Sequence, residues 1–89
     1  MKIEIYTKSY CPYCQRAKAL LDAKGLKYRE IEVSMSPTLE QEAQKRSNRN
    51  TVPQVFIDNQ HIGGSDDLEE AAINGLLDEL TSSSFAIAL

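Results

Sequence analysis

Apolar and polar side chains alternate over residues 2–7, with Ile3 and Ile5 facing one way and Lys2 and Glu4 the other. A period of two predicts a strand. The period then changes. Cys14, Ala17, Leu20 and Leu21 recur at i, i+3, i+6 and i+7, so a helix is expected from the cysteine-containing stretch to about Lys24. Gly25 supplies its stop, and Lys24 sits favourably against the negative end of the helix dipole. Residues 27–33, Lys-Tyr-Arg-Glu-Ile-Glu-Val, return to strand character with Tyr28, Ile31 and Val33 as the buried set. Strand, helix and strand at this spacing predict a parallel, right-handed crossover with the first strand central.

Ser36-Pro37 reads as a helix cap followed by a first helical residue, and Asn48 as a left-handed stop after a second helix ending near Ser47. Leu39 and Ala43 are its only apolar pair, so this helix is expected to be the most exposed. Residues 54–57 form a short β-branched and aromatic run predicted as a third strand; Pro53, at its start, is tolerated there. Asp58-Asn59-Gln60 predicts a tight turn into a short fourth strand at His61-Ile62. After Gly63-Gly64, Ser65 or Asp66 caps a third helix, with Asp66 and Asp67 in its first turn and Leu68, Ala71, Ala72 and Ile73 facing inward. Gly75 interrupts it, and residues 76–80 add a last turn. Tyr6, Leu20, Phe56 and Ile57 are read as core. The element order is βαβαββα over a single domain, residues 1–80. Residues 81–89 form a serine-rich, then apolar tail expected to be flexible.

Composition narrows the function. A chain of 89 residues with 42% hydrophobic content makes one folded domain. No run approaches the roughly 20 apolar residues a membrane span needs, and the alternating start does not read as a signal peptide. The expectation is a cytoplasmic monomer, where an isolated pair of cysteines is catalytic more often than structural. Net charge is −3 and unevenly spread: residues 1–33 carry +3 and residues 34–89 carry −6. Nucleic-acid binding would call for a basic excess, which is missing. The asymmetry suits a small zwitterionic or anionic ligand lying between a basic face and an acidic helix start.

The chemistry is concentrated in Thr7-Lys8-Ser9-Tyr10-Cys11-Pro12-Tyr13-Cys14, which holds both cysteines. With Cys11 capping a helix and Pro12 at its first position, free backbone N–H groups, the helix dipole and Lys8 all favour a thiolate at Cys11. Two cysteines and one histidine fall short of the about four ligands of a structural zinc site, and no metal is expected. His61 reads as a strand residue near a turn rather than a base, and Arg16, Lys18 and Arg49 as solvated charges.

Cys11-Pro12-Tyr13-Cys14 after a strand, Thr51-Val52-Pro53 before a strand and Gly63-Gly64-Ser65-Asp66-Asp67 opening a helix together resemble the glutaredoxins. The likeness spans residues 1–80. It implies an α/β thioredoxin fold, a four-stranded mixed sheet flanked by helices, and glutathione-dependent thiol–disulfide exchange. Cys11 would be the nucleophile attacking a protein disulfide, or the protein sulfur of a mixed disulfide with glutathione. Cys14 would resolve protein disulfides and be dispensable for removing glutathione. Glutathione, as reductant and co-substrate, would regenerate the dithiol; the partners are disulfide-containing or glutathionylated proteins. The resemblance further implies that Lys8 meets the glycyl carboxylate and Tyr13 walls the groove. Thr51, Val52 and a cis Pro53 line it, with the Val52 backbone pairing the cysteinyl part. Gly64 permits close approach, while Ser65, Asp66 and Asp67 at the helix start take the γ-glutamyl end. Ser65 stands where some relatives carry another cysteine. Two alternatives stay open: a small redoxin served by thioredoxin reductase, and a glutathione-ligated iron–sulfur carrier, which Pro12 disfavours.

Overall fold

The computed structural model describes residues 1–81. Its elements run β1 (Ile3–Thr7), α1 (Pro12–Ala23), β2 (Arg29–Glu32), α2 (Pro37–Ser47), β3 (Gln54–Ile57), β4 (Gln60–Gly63), α3 (Ser65–Ile73) and α4 (Leu76–Thr81). The strands lie in the order β2-β1-β3-β4. β1 runs parallel to β2 and antiparallel to β3, and β4 is antiparallel to β3. This is the expected four-stranded mixed sheet, with β1 inside it.

The sheet divides the interior into two layers because strand side chains alternate faces. On one side Ile3, Ile5, Val55 and Ile57 pack with Ala17 and Leu21 of α1, Leu68 and Ala71 of α3, and Leu77 of α4. On the other, Tyr6 and Phe56 pack with Ile31, Val33 and Ala43, under α2. Leu20 and Tyr28, read as core, are half-buried at the rim of the first layer. Glu4, on the face opposite Ile3 and Ile5, is only 5% exposed. It faces the α2 layer, where Arg46 donates to its carboxylate at 2.7 Å.

Local chemistry sets the element ends. Ser36 caps α2 by accepting from the Leu39 N–H at 3.2 Å, and Asn48 closes it at φ 58°. Asp58 and Asn59 both take positive φ, 48° and 70°, and Ile57 pairs with Gln60, so β3 and β4 join through a two-residue hairpin turn. The α3 cap is Gly64 rather than Ser65 or Asp66, because the Asp67 carboxylate reaches back to accept from the Gly64 N–H at 2.9 Å. Ile73 is 86% exposed, not inward. It follows Ala72 by one residue, which turns it off the stripe formed by Leu68, Ala71 and Ala72. At the sheet's edges, β2 exposes Arg29, Glu30 and Glu32, and β4 pairs β3 through a register shift at Val55/Phe56. Thr81 belongs to α4 and not to a tail; the flexible tail expected beyond it lies outside the described residues. Among the described residues no helix is long and apolar enough to cross a membrane.

Candidate active site

Cys11 ends the loop after β1 and is the cap of α1, with extended backbone at φ −98° and ψ 110°. Pro12 follows at the first helical position, where its missing N–H leaves nothing unsatisfied. The cap places the Cys14 backbone N–H 3.2 Å from Cys11 Sγ, pointing at the sulfur. Opposite, the Cys11 thiol donates to the Val52 carbonyl at 3.6 Å. Both thiols are unbridged; Cys11 is half-buried and Cys14 fully buried. Burial, followed by the hydrogen bond with Cys11, pushes the Cys14 thiol up to about 12. Cys14 therefore keeps its proton across the physiological range.

Beside Cys11 lies a cleft of about 230 Å³ lined by Tyr13, Arg49, Thr51, Val52, Pro53, Gly64, Ser65, Asp66 and Asp67. Three separate segments build it: the first turn of α1, the approach to β3, and the start of α3. The Val52–Pro53 peptide is cis. Gly63, at φ 125°, lets the chain turn against the Asp67 carboxylate, which a Cβ would strike. The Arg49 guanidinium donates to Asp67 Oδ2 at 2.7 Å, and this bond, then the Gly64 N–H, holds the Asp67 carboxyl below its usual range. The Ser65 hydroxyl is buried without a hydrogen-bond partner among the described residues. An orphan of that kind costs about 1–3 kcal/mol until something bonds to it.

The structure thus brings together every groove residue implied by the resemblance except Lys8. Lys8 lies beside the redox loop with its ammonium 3.7 Å from Glu40 and does not line the cleft. Arg49, read as a solvated charge, stands in the cleft wall instead. No periodicity marked it; its position follows from the left-handed turn at Asn48, which directs the chain back toward Thr51. Arg16 and Lys18 bond Glu69 and Glu30 and lie outside the cleft. His61, a residue of β4, bonds Gln54 at 2.7 Å, and its pKa is lowered by burial and by the Arg49 charge. No group of three or more His, Cys, Asp or Glu side chains suited to a metal ion occurs among the described residues.

Burial and the raised pKa make a direct prediction. In Cys11→Ser protein at pH 8, Cys14 should react with iodoacetamide at least about tenfold more slowly than in denaturant, because reaction needs both access and thiolate. Mass spectrometry of timed aliquots measures this; equal rates would show that Cys14 is not sequestered.

A family model described as Glutaredoxin matches residues 3–62. The chain is 54% identical over 78 residues to Glutaredoxin 3 of Escherichia coli (strain K12), covering 88% of this chain and 94% of that protein. The solution structure of glutaredoxin from Brucella melitensis superimposes with TM-score 0.81 at 51% identity, covering 90% of this chain and 87% of that one. The crystal structure of a buckwheat glutaredoxin–glutathione complex gives TM-score 0.81 at 33% identity, over 88% and 74%. The two-thiol helix start and the cleft beside it are therefore those of a chain that belongs to the glutaredoxin family, whose members are thiol–disulfide oxidoreductases.

Proposed function

We propose that this protein is a glutathione-dependent thiol–disulfide oxidoreductase in which Cys11 is the nucleophile, Cys14 the resolving thiol, and the cleft beside them the glutathione site. One observation carries the reading: the accessible sulfur, Cys11 Sγ, abuts the Val52 carbonyl at the edge of a cleft that holds charges of both signs and an unsatisfied buried hydroxyl. Glutathione is a zwitterionic peptide of matching character. The helix start of α3 and Ser65 would take its γ-glutamyl carboxylate, Asp67 its ammonium, and the Val52 backbone its cysteinyl unit. Arg49 offers a cation to the ligand's other carboxylate, a role the sequence reading gave to Lys8.

The chemistry follows as two displacements. The Cys14 N–H and the helix start stabilise negative charge on Cys11 Sγ. Deprotonated Cys11 attacks the sulfur of a mixed disulfide, the S–S bond breaks, and the substrate thiolate leaves. The resemblance implies attack on the protein sulfur. A glutathione site beside Cys11 favours attack on the glutathione sulfur, which yields a Cys11–glutathione disulfide and frees the protein thiol. A second glutathione thiolate then attacks the bound glutathione sulfur, leaving oxidised glutathione and Cys11 thiolate. With a protein disulfide, Cys11 instead forms a protein mixed disulfide. Cys14 loses its proton to solvent and attacks Cys11 Sγ, oxidising the pair and releasing a reduced substrate. Tyr10 and Tyr13, 77% and 56% exposed next to the sulfur, offer apolar footing for a polypeptide. The compartment is the cytoplasm, where glutathione is kept reduced.

Turnover of a glutathionylated peptide, followed with glutathione, glutathione reductase and NADPH, should saturate with substrate. If glutathione supports no turnover while a thioredoxin reductase does, the chain is a redoxin of the other kind.

A further inference from the structure

Gln54, the first residue of β3, is 1% exposed and follows the cis proline directly. A buried primary amide needs partners for two N–H groups and a carbonyl oxygen. Its Nε2 donates to the Thr51 carbonyl at 3.1 Å and to Thr51 Oγ1 at 3.3 Å. Its Oε1 meets His61 Nε2 at 2.7 Å. Every polar atom of the amide is used, and the two ends reach different parts of the chain. Thr51 heads the segment that forms one wall of the cleft. His61 lies in β4, whose last residue, Gly63, leads directly into Gly64, Ser65 and Asp67 on the opposite wall.

We propose that Gln54 and His61 together form a spacer that sets the distance between the two walls of the glutathione cleft, making both positioning residues for substrate binding. Resting on the glutathione reading, the proposal adds residues that lie outside the cleft lining. Residues 51–53 lie outside any strand or helix, and the hydrogen bonds that tie Thr51 to the sheet come from the Gln54 amide. The orientation also fixes the imidazole. With Gln54 Nε2 committed to Thr51, Oε1 can only accept, so His61 carries its proton on Nε2. His61 is in turn held against Phe56, ring centroids 5.0 Å apart, so the spacer is braced from the core.

The test separates binding from sulfur reactivity. Gln54→Met keeps the volume and removes all three hydrogen bonds, leaving the Thr51 carbonyl and His61 Nε2–H unpaired. The expected result is a KM for a glutathionylated peptide raised about tenfold with kcat changed less than about twofold, the signature of lost uniform binding. The second-order rate of Cys11 with 5,5′-dithiobis(2-nitrobenzoate), which carries no glutathione, should stay within about twofold of wild type, since the start of α1 and the Cys14 N–H that face the sulfur are untouched. His61→Phe, which keeps the ring contact and removes one arm, should raise KM about threefold and decides the matter if Gln54→Met does not fold. In wild type, the 15N shifts of His61 should report a proton on Nε2. An unchanged KM in the folded variants, or equal losses in turnover and in the dithiobisnitrobenzoate rate, would overturn the spacer. A wild-type protein showing no saturable preference for the glutathionylated peptide would instead overturn the glutathione reading beneath it.

Discussion

Cys11→Ser should lower turnover of a glutathionylated peptide by about 1,000-fold or more, while Cys14→Ser should keep most of it. The asymmetry follows from where the sulfurs sit. Cys11 is half-buried, receives the Cys14 N–H at 3.2 Å, and bonds the carbonyl of Val52 in the cleft wall. Serine there retains a hydroxyl far less nucleophilic than a thiolate, and nothing nearby replaces it. Cys14 is inaccessible and, with its pKa raised to about 12, stays protonated. It contributes only once Cys11 carries a mixed disulfide, when its proximity makes resolution intramolecular. Cys14→Ser should therefore lose protein-disulfide reduction by at least about tenfold while glutathione removal continues through the external thiol. Parallel steady-state assays on the two substrate types measure this. Equal loss of both activities in Cys14→Ser would assign Cys14 to the chemistry of every turnover and refute the division of roles.

The largest effect on stability should come from Arg46→Met. The Arg46 side chain donates to Glu4 at 2.7 Å, to Asn59 at 2.9 Å and to the Tyr6 hydroxyl at 3.2 Å, and its guanidinium carbon lies 4.0 Å from the centre of the Phe56 ring. The Tyr6 hydroxyl in turn donates to Glu42 at 2.8 Å. Methionine preserves much of the packing but leaves the Glu4 carboxylate, 6% exposed at its side chain, with Lys2 at 3.8 Å as its cation. Stranding one member of a buried pair costs about 3 kcal/mol, which in a domain of this size lowers Tm by roughly 15 °C. The pH dependence supplies an internal control. The Arg46 hydrogen bond is the largest cause holding the Glu4 carboxyl below its ordinary 4.5. A carboxyl depressed in the folded state contributes its full stability above the unfolded value and loses it as pH falls through the folded one. The gap between wild type and Arg46→Met should therefore close as pH falls from the ordinary 4.5 through the lower folded value. Thermal melts across pH, with Glu4→Gln completing a double-mutant cycle, measure both. A gap that is constant with pH would mean that Arg46 acts by packing alone.

Glu4 also shows where reading the chain alone stops. The alternation of residues 2–7 is a local signal and correctly placed a strand, but it carries nothing about what covers the face opposite Ile3 and Ile5. What covers Glu4 is an arginine 42 residues away, and no window along the chain contains both. Ser36, Pro37 and Asn48 bounded α2 correctly because capping acts over three or four residues. Ser65 and Asp66 offered adjacent acceptable caps, and Asp67 bonding back to the Gly64 N–H set the cap ahead of both. The cleft was legible only through the joint likeness of three motifs, since its walls come from segments that folding brings together. Arg49 belongs to none of those motifs. Its carboxylate partner is 18 residues on, across the cleft.

The uneven edges of the sheet carry a consequence for association. A strand with an open ladder recruits other chains unless its flank is made inhospitable. At β2 a newcomer would have to strip water from Arg29, Glu30 and Glu32, with one buried apolar residue, Ile31, among them. At β4 the register shift against β3 disturbs the flat repeat that a docking strand must match. Both flanks thus discourage polymerisation through the backbone.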